Sequence, residues 1–155
     1  MSEQPLGKHN WSRLGNIQLG RYAEYFVKME FAMHGFDIYM PEIDDKGIDF
    51  VVRKDENTYY DVQVKSTRLL KNYIFITKDK FRLRPNLVAA IVLFSEGKPA
   101  ESYLIPSLSW ETPNGLLVSR DYKGGKSKPD YGVNLSGKTS KLFEEYQFDK
   151  AVQKL

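Results

Sequence analysis

The chain has 155 residues, 41% of them hydrophobic and 28% charged, and carries a formal net charge of +3. These proportions exclude a disordered or low-complexity protein and suit one globular domain, read as residues 1–155 with 1–12 as a loose polar arm. Without cysteine, disulfides and thiolate metal sites are excluded, and no apolar run reaches signal-peptide or membrane-spanning length, so a cytoplasmic setting without membrane contact is expected.

Leu14 to His34 reads as a long helix, because apolar residues recur at three and four and Gly35 follows as a stop. Phe36 to Met40 is a short strand ending at Pro41. Ile48 to Arg53 and Tyr59 to Thr67 are two strands joined by the polar turn Lys54-Asp55-Glu56-Asn57. Tyr73 to Thr77 is β-rich, and Lys78 to Arg84 is a short helix before Pro85. Leu87 to Phe94 is apolar almost throughout, the mark of a strand buried on both faces. Ser102 to Ile105 follows the turn at Glu96-Gly97-Lys98-Pro99. Gly115 to Ser119 and Tyr131 to Leu135 read as edge strands around the basic, glycine-rich loop Arg120 to Lys128, and Ser140 to Leu155 as a closing helix. This order implies an α/β or α+β domain with a mixed central sheet flanked by helices.

Charge is unevenly distributed. Glu42 to Asp61 holds seven acids against three bases, and Lys65 to Arg84 holds seven bases against one acid. An acidic cluster suited to a cation thus precedes a basic segment suited to a polyanion, although such runs are also common on solvated faces. Ten Tyr and nine Phe exceed what a core of this size needs, so some rings are expected on a wet surface. Tyr73 and Phe75, as alternating strand residues, read as core in preference to base-stacking groups. Trp11 and Trp110 likewise read as packing residues, and His34 as a partner for the helix dipole. The loop at Lys123 to Lys128 is a candidate phosphate clamp, but it lacks the spacing of a nucleotide-binding P-loop.

Four polar residues stand out against this background. Asp49 lies on an otherwise apolar strand, where an ionised carboxylate is costly unless paired or metal-bound. Gln63 and Lys65 are two apart on the next strand and therefore share one face, opposite Val62 and Val64. Glu24 lies inside the long helix, one turn from Gly20, a small residue that permits close approach to a sheet. It is also placed for a surface pair with Lys28 at i+4.

Helix-Glu24, strand-Asp49 and strand-Gln63-x-Lys65 together resemble the PD-(D/E)XK nuclease superfamily, whose restriction-endonuclease-like fold also serves Holliday junction resolvases. The resemblance runs from Gly20-Arg-Tyr-Ala-Glu24 through Gly35-Phe-Asp-Ile and Gly47-Ile-Asp49 to Val62-Gln-Val-Lys65-Ser-Thr67, and is nearest to small bacterial members of unassigned function. Two positions depart from the pattern: Gly47-Ile48 stands where a proline usually precedes the aspartate, and Gln63 replaces the usual acid. The resemblance implies an αβββαβ-type core and a metal-dependent endonuclease acting on DNA. It implies Mg²⁺ or Mn²⁺ held by Asp49, the Gln63 side-chain oxygen and the Val64 backbone carbonyl, with Glu24 binding a further water or second cation. Lys65 then orients the attacking water and stabilises the oxyanion, and Ser66 and Thr67 bond a phosphate oxygen. Arg68, Lys71, Lys78, Lys80 and Arg82 are expected to grip the nucleic-acid backbone. Cutting both strands of a duplex would call for a homodimer. A binding module that has lost catalysis, and an assembly domain using its aromatic surface, are the alternatives.

Overall fold

In the computed structural model, residues 7–155 are described except Asp44, Leu70 and Lys71. Helix α1 (Asn16–Met33) buries the row Leu19, Ala23, Val27 and Phe31 against a five-stranded sheet. That sheet runs in the order β1 (Asp37–Tyr39), β2 (Phe50–Arg53), β3 (Tyr59–Arg68), β5 (Leu87–Phe94), β6 (Glu101–Pro106). β3 and β5 are parallel and the other pairs antiparallel, so the sheet is mixed as the sequence implies. All eight residues of β5 are buried, and the continuous apolar run is explained by what covers each face.

On one face Phe50, Val52, Val62, Val88, Ala90, Val92 and Phe94 pack beneath α1. On the other, Leu87, Ala89, Ile91, Leu93, Tyr103 and Ile105 meet a second layer. That layer is a three-stranded antiparallel sheet in the order β4 (Tyr73–Thr77), β8 (Asp130–Asn134), β7 (Leu117–Arg120). Its inner residues Ile74, Ile76 and Val133 join Phe81, Trp110 and Leu116 in the core. The connection from β3 to β5 therefore runs through β4 and a 3₁₀ turn at Lys78–Lys80, where an α-helix was expected. Lysines at both ends of this turn and an aspartate between them give it no apolar face to bury.

The expected closing helix is broken in two, α2 (Ser140–Glu144) and α3 (Phe148–Ala151), followed by a last 3₁₀ turn at Val152–Lys154. The break lies where the chain bonds the sheet instead of itself: Tyr146 carbonyl accepts from Leu104 N at 2.8 Å, and Gln147 bridges Tyr103. Among the described residues no helix is long and apolar enough to cross a membrane.

Part of the expected N-terminal arm is tied down, while residues 1–6 lie outside the described residues. Trp11 is 5% exposed, opens a 3₁₀ turn at Trp11–Arg13, and donates its indole N–H to Lys98 carbonyl at 2.9 Å. Arg68, at the end of β3, donates to the carbonyls of Trp11 (2.9 Å) and Leu14 (2.5 Å). One guanidinium thus satisfies two carbonyls at the entry to α1. Arg68→Ala should lower unfolding free energy by about 1–3 kcal/mol. Denaturant titration checks the loss, and hydrogen exchange should localise it to residues 11–19; unchanged protection there would refute the clamp.

Candidate active site

The site begins with a break in strand pairing. Phe50 is the register partner of Val62, yet Asp49 N–H also reaches Val62 carbonyl at 2.9 Å. Two residues of one chain thus face one of the other, the count that defines a bulge. At the next step the side chain replaces the backbone, and Asp49 Oδ2 accepts from Val64 N at 2.7 Å. Asp61 N–H points the other way, to Asn86 carbonyl at the start of β5. Peptide directions alternate along a strand, so the N–H and C=O of Val64 both face the side where β2 has ended.

Gly47 makes the approach possible. Its φ is +77°, and an added Cβ would stand 3.0 Å from Lys80 carbonyl and 3.1 Å from Lys80 Cβ. The turn is therefore pressed against the 3₁₀ segment, whose Lys80 Nζ donates to Asp45 carbonyl at 2.8 Å.

Gln63 and Lys65 project from β3 on the face away from α1. Gln63 is 6% exposed, and its Oε1 is buried with no hydrogen-bond partner. An unpaired buried carbonyl oxygen costs about 1–3 kcal/mol. Lys65 is half-buried two residues further on. Asp61, on the same face, is engaged by Arg84 at 2.6 Å. Sequence reading placed Arg84 only within the general basic run, because its partner lies 23 positions away.

Glu24 is half-buried on α1. Tyr22 packs on Trp11 and Phe94 at ring-centroid distances of 5.0 and 6.0 Å, and Lys28 Nζ lies 5.6 Å from the Phe50 ring. Glu24 lies one turn before Lys28 on α1. Its carboxylate pairs with Arg21 at 3.0 Å rather than with Lys28. The expectation that Gly20 marks a close helix–sheet contact is not met: a Cβ there would touch nothing within 4 Å. The Asp49–Val64 bond brings Asp49 to the stretch Gln63, Val64 and Lys65.

The basic residues divide. Lys80 and Arg82, with Lys46 and Arg84, line a cleft of about 420 Å³ beside Ile48, next to Asp49. Lys46 was not singled out from sequence, where it is one base inside an acidic run. Lys78 is turned away, bonded to Ser119 (2.7 Å) and Asp121 (3.0 Å). Arg68, expected among the phosphate contacts, is held by the two carbonyls above. Thr67 donates its hydroxyl to Arg68 carbonyl at 3.1 Å. Ser66 follows Val64 by two and so takes the α1 face. Lys71 lies outside the described residues.

Among the described residues no group of three or more His, Asp or Glu comes together to hold a metal. The oxygens gathered at β3 are of another kind: one carboxylate, one amide carbonyl and one backbone carbonyl. Hard divalent cations take all three.

No family model matches the chain, and no curated protein does. Among solved structures the chain is similar to Hjc of Archaeoglobus fulgidus, a Holliday junction resolvase from an archaeal hyperthermophile. The TM-score is 0.54 at 12% sequence identity, over 88% of this chain and 98% of that one. Gly47→Ala should lower stability by about 1–3 kcal/mol, since it adds both left-handed strain and a contact with Lys80. A calorimetric melt checks this, and a melt within error of the parent would contradict the close approach. The chain has a restriction-endonuclease-like fold.

Proposed function

We propose that the protein is a divalent-metal-dependent nuclease that hydrolyses phosphodiester bonds in DNA, with Asp49, Gln63, Val64 and Lys65 as its centre. The observation that carries this reading is the buried, unpartnered Oε1 of Gln63, on the residue next to the Val64 N–H that holds the Asp49 carboxylate. An orphaned acceptor beside a carboxylate is a cost to the fold that a cation would relieve.

Asp49, Gln63 and the Val64 carbonyl fit Mg²⁺ or Mn²⁺, which accept oxygen ligands and keep several waters. A bound cation would supply positive charge against the scissile phosphate and acidify water at the site. Lys65 is the group placed to orient the attacking water and stabilise charge developing on the phosphate oxygens. Glu24, paired with Arg21 at 3.0 Å, would bind a further water or a second cation. Lys80 and Arg82 hold the flanking backbone from the cleft, giving affinity without sequence readout. Cutting both strands of a duplex requires two copies of a domain this small.

One carboxylate with two neutral oxygens is a weak cation site. That motivates a second reading, a binding module that does not cleave. Calorimetric titration with Mn²⁺ separates the two readings, because only the nuclease needs uptake that Asp49→Asn abolishes.

Lys65→Ala should cut the rate of DNA cleavage by about 10²–10³-fold while DNA binding stays within about threefold. Persistent cleavage would remove Lys65 from the mechanism. Gln63→Glu should lower the melting temperature by several degrees without metal, because two carboxylates would then share a partly dry site. Millimolar Mn²⁺ should restore it, and a melt indifferent to Mn²⁺ would contradict a cation at Gln63.

A further inference from the structure

The second sheet turns its outer face to solvent, and that face is built unlike a mere cover. Tyr73 and Phe75, expected in the core, point outward, while Ile74 and Ile76 point in. Phe75 is 55% exposed and stands directly opposite Gly132 on β8. A methyl on Gly132 would overlap Tyr73 at 1.9–2.4 Å, so the glycine is what lets this ring lie flat across the strand. Asp130, 5% exposed, accepts the hydroxyls of Tyr73 at 2.9 Å and Tyr122 at 3.1 Å. Burial and the Asp130 carboxylate push the Tyr73 hydroxyl's pKa well above its ordinary value. Arg120, on β7, lays its guanidinium 4.1 Å over the Tyr73 ring. Glycine floor, fixed ring and stacked guanidinium form an ordered pile beside a bare phenyl ring, bordering a hollow of about 440 Å³.

We propose that this outer sheet face is a stacking platform for an unpaired nucleic-acid strand. The charge fits: Arg120 and Lys128 line the hollow, Lys123 and Lys126 are exposed on the loop that leads to Lys128, and although Lys128 pairs with Asp79 at 3.4 Å, Asp121 is taken by Lys78. The stacking surfaces also fit. Phe75 and the outer plane of Arg120 are flat, and a base stacks on such planes only when its own face is free. A duplex offers phosphates and groove edges and hides those faces. The platform goes beyond the nuclease reading by naming a single-stranded stretch as what this second surface holds. Binding measured without metal tests it apart from cleavage.

The probe is fluorescein-labelled oligothymidylate, compared with a blunt duplex of equal length, titrated with the full chain in EDTA and followed by anisotropy. Phe75→Ala should weaken oligothymidylate binding about tenfold or more and leave duplex binding within about twofold. Phe75→Trp should retain binding, and its emission should be quenched by oligothymidylate as base and indole stack. Equal binding by the parent and Phe75→Ala, equal losses on both probes, or an unquenched Trp at 75 would each overturn the platform. So would a parent protein that fails to bind oligothymidylate while a protein partner occupies this face.

Discussion

The centre of the molecule depends on one hydrogen bond, from Val64 N–H to the carboxylate of Asp49. A side chain does here what a strand backbone normally does, and the substitution has two consequences. It ends β2, since the ladder stops where the carboxylate begins. It also turns the Val64 peptide edge of β3 towards a side chain instead of a neighbouring strand, with Gln63 and Lys65 on either side. A charge-assisted bond of this kind contributes about 1.5–3 kcal/mol, enough to hold a carboxylate at a sheet edge. Bulge, strand end and polar ladder are therefore one feature, set by a single acid placed two residues after a left-handed glycine.

Gln63 shows what that arrangement costs. A neutral amide can be buried with its oxygen unpaired for about 1–3 kcal/mol. A carboxylate in the same position, beside Asp49, would cost several kcal/mol more unless a cation were present. Gln at this position therefore makes the fold less dependent on metal and the metal site weaker. Both follow from removing one negative charge, so in the proposed nuclease they cannot be tuned separately.

The parts of this design that are local were legible in the sequence. Alternation along Tyr59 to Arg68 placed Gln63 and Lys65 on one face, and the unbroken apolar run of Leu87 to Phe94 announced a strand covered on both sides. What was not legible depends on distant partners. The residues Tyr73 to Thr77 are plainly strand-forming, yet nothing in them says that they pair with β8 rather than with β3 or β5. Without that knowledge the wrong alternate set, the aromatic one, was assigned to the core. Arg68 reads as one more base in a basic run because its acceptors, two carbonyls near α1, leave no trace in side-chain identity. For Glu24, periodicity gives a place on the helix but not the ion partner, which is Arg21 rather than Lys28.

The two-layer architecture also decides where a polyanion can approach. The second sheet covers β5 and β6 but leaves the polar face of β3 at its margin, where Asp61 and Gln63 line up with Lys65. A phosphate approaching Asp49 meets a like charge, worth about 1 kcal/mol at 4 Å in water and more where the site is dry. Arg84 is spent on Asp61 and Arg68 on two carbonyls, so neither offsets that repulsion. Lys65 and Arg82 remain for it, with Lys80 held to the Asp45 carbonyl at 2.8 Å, and the neutrality of Gln63 reduces what they must offset. In the proposed nuclease, the residue that weakens the cation site thus also eases entry of the substrate's phosphate.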